Sequence, residues 1–112
     1  MAEPSESIVA ERLRIVSEFR EDERDYILGQ LATKLDKRLA RWQPEQVELE
    51  LSVKERDTPS QKMVLECWIA GQPKMVATSN EQQIQSALHD VREDLFKQID
   101  KQVNKTQDRA RR

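Results

Sequence analysis

One cysteine, one histidine and two glycines are all that a chain of 112 residues offers of three residue types on which much site chemistry depends. The lone Cys67 excludes an intrachain disulfide and fits a reducing compartment. With His89 as the only histidine, there is no His/Cys set for zinc and no Cys–His pair for nucleophilic catalysis. Gly29 and Gly71 cannot make a glycine-rich phosphate loop. Long apolar runs are missing too: none approaches the roughly 20 residues that span a bilayer. The start, Met1 to Ser7, lacks a signal peptide's charged beginning and apolar middle. The expected location is therefore the cytoplasm, with no membrane partner. Carboxylates are plentiful but sit in solvated alternation that singles out no catalytic pair, so neither an enzyme nor a cofactor is expected.

What is abundant is charge, at 36% of residues with a formal net charge of −2. Its distribution says more than its sum. From Lys97 to Arg112 six Lys or Arg face two Asp, net +4, whereas Met1 to Asp25 carries eight acids against four arginines, net −4. Such asymmetry between ends marks a segment able to face a polyanion.

Residues 1–7 read as a disordered tail, and 8–112 as a single α+β domain with a basic carboxy-terminal helix extension. Leu13, Ile15, Ser17 and Phe19 share one parity, which favours a first strand within Ile8 to Phe19, although Ile8 to Arg14 also fits a helical turn. Leu28, Leu31, Leu35, Leu39 and Trp42 recur at three and four, predicting an amphipathic helix over Glu21 to Trp42 that Pro44 stops. Val47, Leu49, Leu51 and Val53 alternate with polar residues, as do Met63, Leu65, Cys67 and Ile69, giving two strands with one face buried. After the Gly71 turn comes a short strand, Lys74 to Ser79. The last helix is predicted to open at Asn80 as N-cap with Gln83 three places on, burying Ile84, Ala87, Leu88, Val91 and Leu95. The order is β-α-β-β-β-α: a four-stranded, mainly antiparallel sheet with two helices packed on one face. The other sheet face would stay open around Val64 and Trp68.

Each helix also carries a row of cations. Lys97, Lys101, Lys105 and Arg109 step by four along the last helix, apart from Leu95, Ile99 and Val103. Lys34, Lys37, Arg38 and Arg41 fall within a wedge of roughly 100° beside the leucine stripe of the first. Asp100 and Asp108 interrupt the carboxy-terminal row.

The segment Leu95-x-Lys97-Gln98-Ile99-x-Lys101, followed by Lys105, resembles the signature of the ribosome hibernation factors, the family of hibernation-promoting factor and ribosome-associated inhibitor A. Lys34-Leu35-x-Lys37, the strand Val47 to Lys54, the Gly71 turn and Ala87-Leu88 extend the resemblance over nearly the whole chain, in the manner of the family's short forms. The resemblance implies a domain shaped like those that bind double-stranded RNA. It also implies lodging in the mRNA and tRNA channel of the small ribosomal subunit, holding idle ribosomes inactive. On that footing Lys34, Lys37, Lys97, Lys101 and Lys105 are the expected ribosomal-RNA contacts, while Arg38, Arg41 and Arg109 join them by helix geometry alone. The implied partner is the small subunit and its RNA, not DNA, and a monomer is favoured. The alternative is a non-enzymatic protein-interaction module of the same fold, using the open sheet face around Trp68.

Overall fold

Period-two alternation in the middle of the chain becomes the centre of the sheet. In the computed structural model, which describes residues 7–16 and 18–110 with side chains as far as Asn104, β2 is Val47–Lys54, β3 is Lys62–Ile69 and β4 is Met75–Ser79. These three pair antiparallel, and β1, Leu13–Ile15, pairs parallel with β2 at one edge, so the strand order is β1-β2-β3-β4. Register sets Ile15, Leu51, Leu65 and Ala77 side by side in one row, and Leu51, Leu65 and Ala77 are fully buried in it. Leu65→Ala is expected to cost about 3 kcal/mol, the transfer loss plus an unfilled cavity on a central strand. A urea unfolding midpoint would read it.

The buried parity faces two long helices, α2 (Arg24–Leu39) and α3 (Ile84–Ala110). Their apolar stripes, Ile27, Leu31, Leu35 and Leu39 on one and Ala87, Leu88, Val91, Leu95 and Ile99 on the other, join the strands in one core. The α+β fold with both long helices on one sheet face is thus as the periodicity implies.

Four details differ from the sequence-based expectation. Ser7 does not belong to a tail: its Oγ accepts from Ala10 N at 3.0 Å and caps a five-residue helix, α1 (Ile8–Arg12), whose Val9 N donates to Asp36 Oδ1 of α2 at 2.9 Å. The first strand is accordingly only three residues long, while residues 1–6 and Ser17 lie outside the described residues. The first long helix is shorter than Glu21 to Trp42, because Glu21–Glu23 form a separate 3-10 turn and Trp42 N closes on Leu39 O at 3.0 Å after the last helical residue. Finally, α3 starts at Ile84 rather than at Asn80, whose side-chain amide instead donates to Gln61 O at 3.3 Å.

Gln61 itself is fully buried between two connections. It accepts from Asp57 N at 2.9 Å and donates to the carbonyls of Glu81 and Gln82 at 2.8 and 3.0 Å. A buried amide is tolerated only when so satisfied, and here it fixes where α3 can begin.

Candidate nucleic-acid interface

The helices α2 and α3 meet along a seam with three polar rungs. Arg92 donates to Gln30 O at 3.0 Å, Lys34 Nζ lies 3.5 Å from Glu93, and Arg38 Nε donates to Asp100 Oδ1 at 3.0 Å. Gln30, Lys34 and Arg38 are spaced by four on α2, and their partners rise in the same order along α3, so the two helices run in the same direction. Between the rungs lies Phe96, with the Arg38 guanidinium 4.1 Å and the Lys34 ammonium 5.7 Å from its ring centroid. Stacking of this kind holds a cation by the ring quadrupole and limits its motion.

Glu93 stays ionised more readily than an ordinary glutamate. Burial pushes its carboxyl up, but the hydrogen bond from Arg92 and the charges of Lys34 and Arg92 outweigh that and leave it lowered.

Lys37 lies on the flank of α2 next to Arg38, whereas Arg41, expected on the same helix, falls in the turn after Leu39 because the helix ends there. With Arg38, Ile99, Asp100 and Val103 they line a cleft of about 340 Å³ between the later turns of the two helices. Arg41 is exposed and sits 5.8 Å over the Trp42 ring. Lys97 and Lys101 are exposed on α3. At 100° per residue each sits a quarter-turn beyond Phe96 and Asp100 respectively, so they form a strip beside the seam rather than within it. Among the described residues, no carboxylate ion-pairs with Lys37, Lys97 or Lys101. The side chains of Lys105, Asp108 and Arg109 lie outside the described residues, though the helix backbone passes through all three.

The eight expected contacts therefore divide into groups. Lys34 and Arg38 are engaged by acids of α3, Lys37 and Arg41 flank the cleft, and Lys97 and Lys101 stand on the next strip with Glu93 and Asp100 between them and α2. Phe96, Glu93 and Asp100 are the residues that periodicity did not reveal as partners. A signal was present, since they occur at i, i+3 and i+7 and so share one helix face.

The open sheet face is largely self-neutralised. Glu50 and Glu66 are direct cross-strand neighbours, an unfavourable placement for like charges. Each has its own cation: Arg14 at 2.7 Å from Glu50 and Lys74 at 2.8 Å from Glu66. Lys74 also lies 5.1 Å from the Trp68 ring, and Trp68, Arg14, Gln46, Glu48 and Gln72 are among the walls of an open depression of about 420 Å³. Cys67 faces the core, where burial pushes its thiol up to about 12, so it is no nucleophile at neutral pH. His89 is exposed with Nδ1 3.0 Å from Arg92. No cluster of three or more His, Cys, Asp or Glu among the described residues is placed to hold a metal, and no described helix is long and apolar enough to cross a membrane.

No known family model and no curated protein matches this chain.

Proposed function

We propose that this domain is a ribosome-associated translation inhibitor of the hibernation type, a non-enzymatic cytoplasmic protein acting as a monomer. It would dock its helical layer on ribosomal RNA of the small subunit, and its bulk would keep mRNA and tRNA out of idle ribosomes. The observation that carries this reading is that Lys97, Lys101 and Lys37 are exposed and, among the described residues, free of ion pairs, while their neighbours Lys34 and Arg38 are held by acids. Uncompensated cations on a rigid helix are what phosphate binding uses, because each neutralised phosphate releases counterions. A-form RNA is met through shape and backbone contacts, which suits two parallel helices better than base reading does. The resemblance of the segment from Leu95 to Lys105 to the hibernation-factor signature supplies the choice of RNA.

Sedimentation of the purified protein with small ribosomal subunits tests it. Co-migration is expected at about 50 mM salt and its loss by about 200 mM, since several phosphate contacts together lose roughly a thousandfold over that range. Protein remaining at the top of the gradient at low salt would sink the proposal. The depression beside Trp68 favours one rival, a protein-binding module using the open sheet face. Its complex would persist at high salt, because burial of apolar surface is not screened.

A further inference from the structure

We propose that the cleft between the later turns of α2 and α3 is a phosphate-binding site and that Asp100 is its built-in competitor. Among the described side chains, three cations, Lys37, Arg38 and Arg41, line the cleft against one carboxylate, that of Asp100, with Ile99 and Val103 as apolar wall. Arg38 is held in place by its stack on Phe96 at 4.1 Å. Asp100 meets the guanidinium through one hydrogen bond, from Nε to Oδ1, and does not engage the two-pronged fork that phosphate prefers. Both partners are partly open to solvent, with 39% and 50% of their side-chain surfaces exposed. A one-point, solvent-exposed ion pair is at the weak end of such contacts. A phosphate carrying more charge and more acceptor oxygens displaces it, and Asp100 swings out to water.

Asp100 therefore imitates the ligand and sets the affinity low enough for release. This would make the domain's grip reversible, and it connects with the RNA-binding reading only in taking RNA as the natural source of the phosphate.

The shared chemistry allows two probes, inorganic pyrophosphate and the small ribosomal subunit. Asp100→Asn keeps the side chain's shape and removes its charge, so it should bind pyrophosphate roughly threefold to tenfold more tightly than the unaltered protein by calorimetric titration. Arg38→Ala should erase that gain in the double variant, as a direct coupling requires. Glu11→Gln, an equal charge change at an exposed position of α1, serves as the control for general electrostatics and should leave pyrophosphate affinity within about twofold. An Asp100→Asn variant no tighter than Glu11→Gln, or a gain that survives in the Arg38→Ala background, overturns the proposal. The second probe separates the two readings. Tighter pyrophosphate binding without any co-sedimentation keeps the phosphate site and removes the ribosome. Co-sedimentation that Asp100→Asn does not strengthen keeps the ribosome and removes the competitor.

Discussion

Replacing Arg56 by alanine is expected to lower stability by about 3 to 5 kcal/mol, the usual result of stripping one partner from a mostly buried ion pair. Arg56 lies in the connection between β2 and β3, where Glu55 and Asp57 take positive φ values of 55° and 69°. Its terminal nitrogens donate to both Glu23 carboxylate oxygens, at 2.7 and 2.5 Å, and to Glu18 O at 2.8 Å. Its backbone N donates to Glu18 Oε1 at 2.9 Å. The side chains retain only 11% and 19% exposure, and the guanidinium lies 5.8 Å from the Phe19 ring. One residue thus fastens the β2–β3 connection to the segment entering α2. Alanine would leave the Glu23 carboxylate without its main partner, held only by Arg20 N at 2.9 Å and the more distant Arg20 guanidinium at 3.8 Å. Removing both charges, with Arg56→Met and Glu23→Gln together, should cost less than Arg56→Ala alone, because no stranded charge remains. Urea unfolding of the three variants would rank them, and an Arg56→Ala cost under about 1 kcal/mol would show the clasp to be ornamental.

The same clasp sets a pH dependence. The hydrogen bond from Arg56 is the largest influence on Glu23 and, with the bond from Arg20 N and the two arginine charges, outweighs desolvation to lower its pKa from 4.5 to about 2. The folded state therefore binds this proton less readily than the unfolded chain does. Its stabilising contribution is fully present above about pH 4.5 and is lost as pH falls toward 2, on the order of 3 kcal/mol in all. In Arg56→Ala that acid-range loss should largely disappear, so the variant and the unaltered protein should converge in stability as the solution is acidified.

Much of this architecture was legible because half-buried strands and amphipathic helices write their periods into the chain. The parity of Val47, Leu49, Leu51 and Val53 is the parity found, and the stripe at Leu31, Leu35 and Leu39 lies in the core. What could not be read depends on contacts distant in sequence. A helical turn within Ile8 to Arg14 was legible as an alternative to the favoured strand, but α1 is too short to stand by propensity, and the hydrogen bond to Asp36, 27 residues away, is what decides for it. Asn80 has the right chemistry for an N-cap, but Gln61 recruits its amide, and the helix starts four residues later. Periodicity likewise placed Lys97 and Lys101 on one side of their helix. It could not give the rotation of α3 about its axis relative to α2, and that rotation turns Asp100 from an interruption in a basic row into the partner of Arg38.

Charge reversal of the exposed strip, Lys97→Glu with Lys101→Glu, should weaken binding to the small ribosomal subunit by roughly a hundredfold, about a factor of ten for each lysine whose attraction to phosphate becomes repulsion. The slope of log affinity against log salt should fall by about one for each phosphate no longer neutralised. Thermal unfolding should hardly move, since solvated surface substitutions change stability by about 0.5 kcal/mol or less. Net charge alone would confound this result, because two reversals carry the formal charge of −2 down by four. Lys54 and Lys62 provide the matched comparison: they are exposed cross-strand partners whose parity puts them on the open sheet face, away from both long helices. Reversing that pair alters the overall charge equally but leaves the helical layer intact. A small loss there, beside a large one at Lys97 and Lys101, would locate the RNA on the helices. Equal losses at the two places would mean that only the protein's mean field had been measured, and the helical layer would have no special claim to the ribosome.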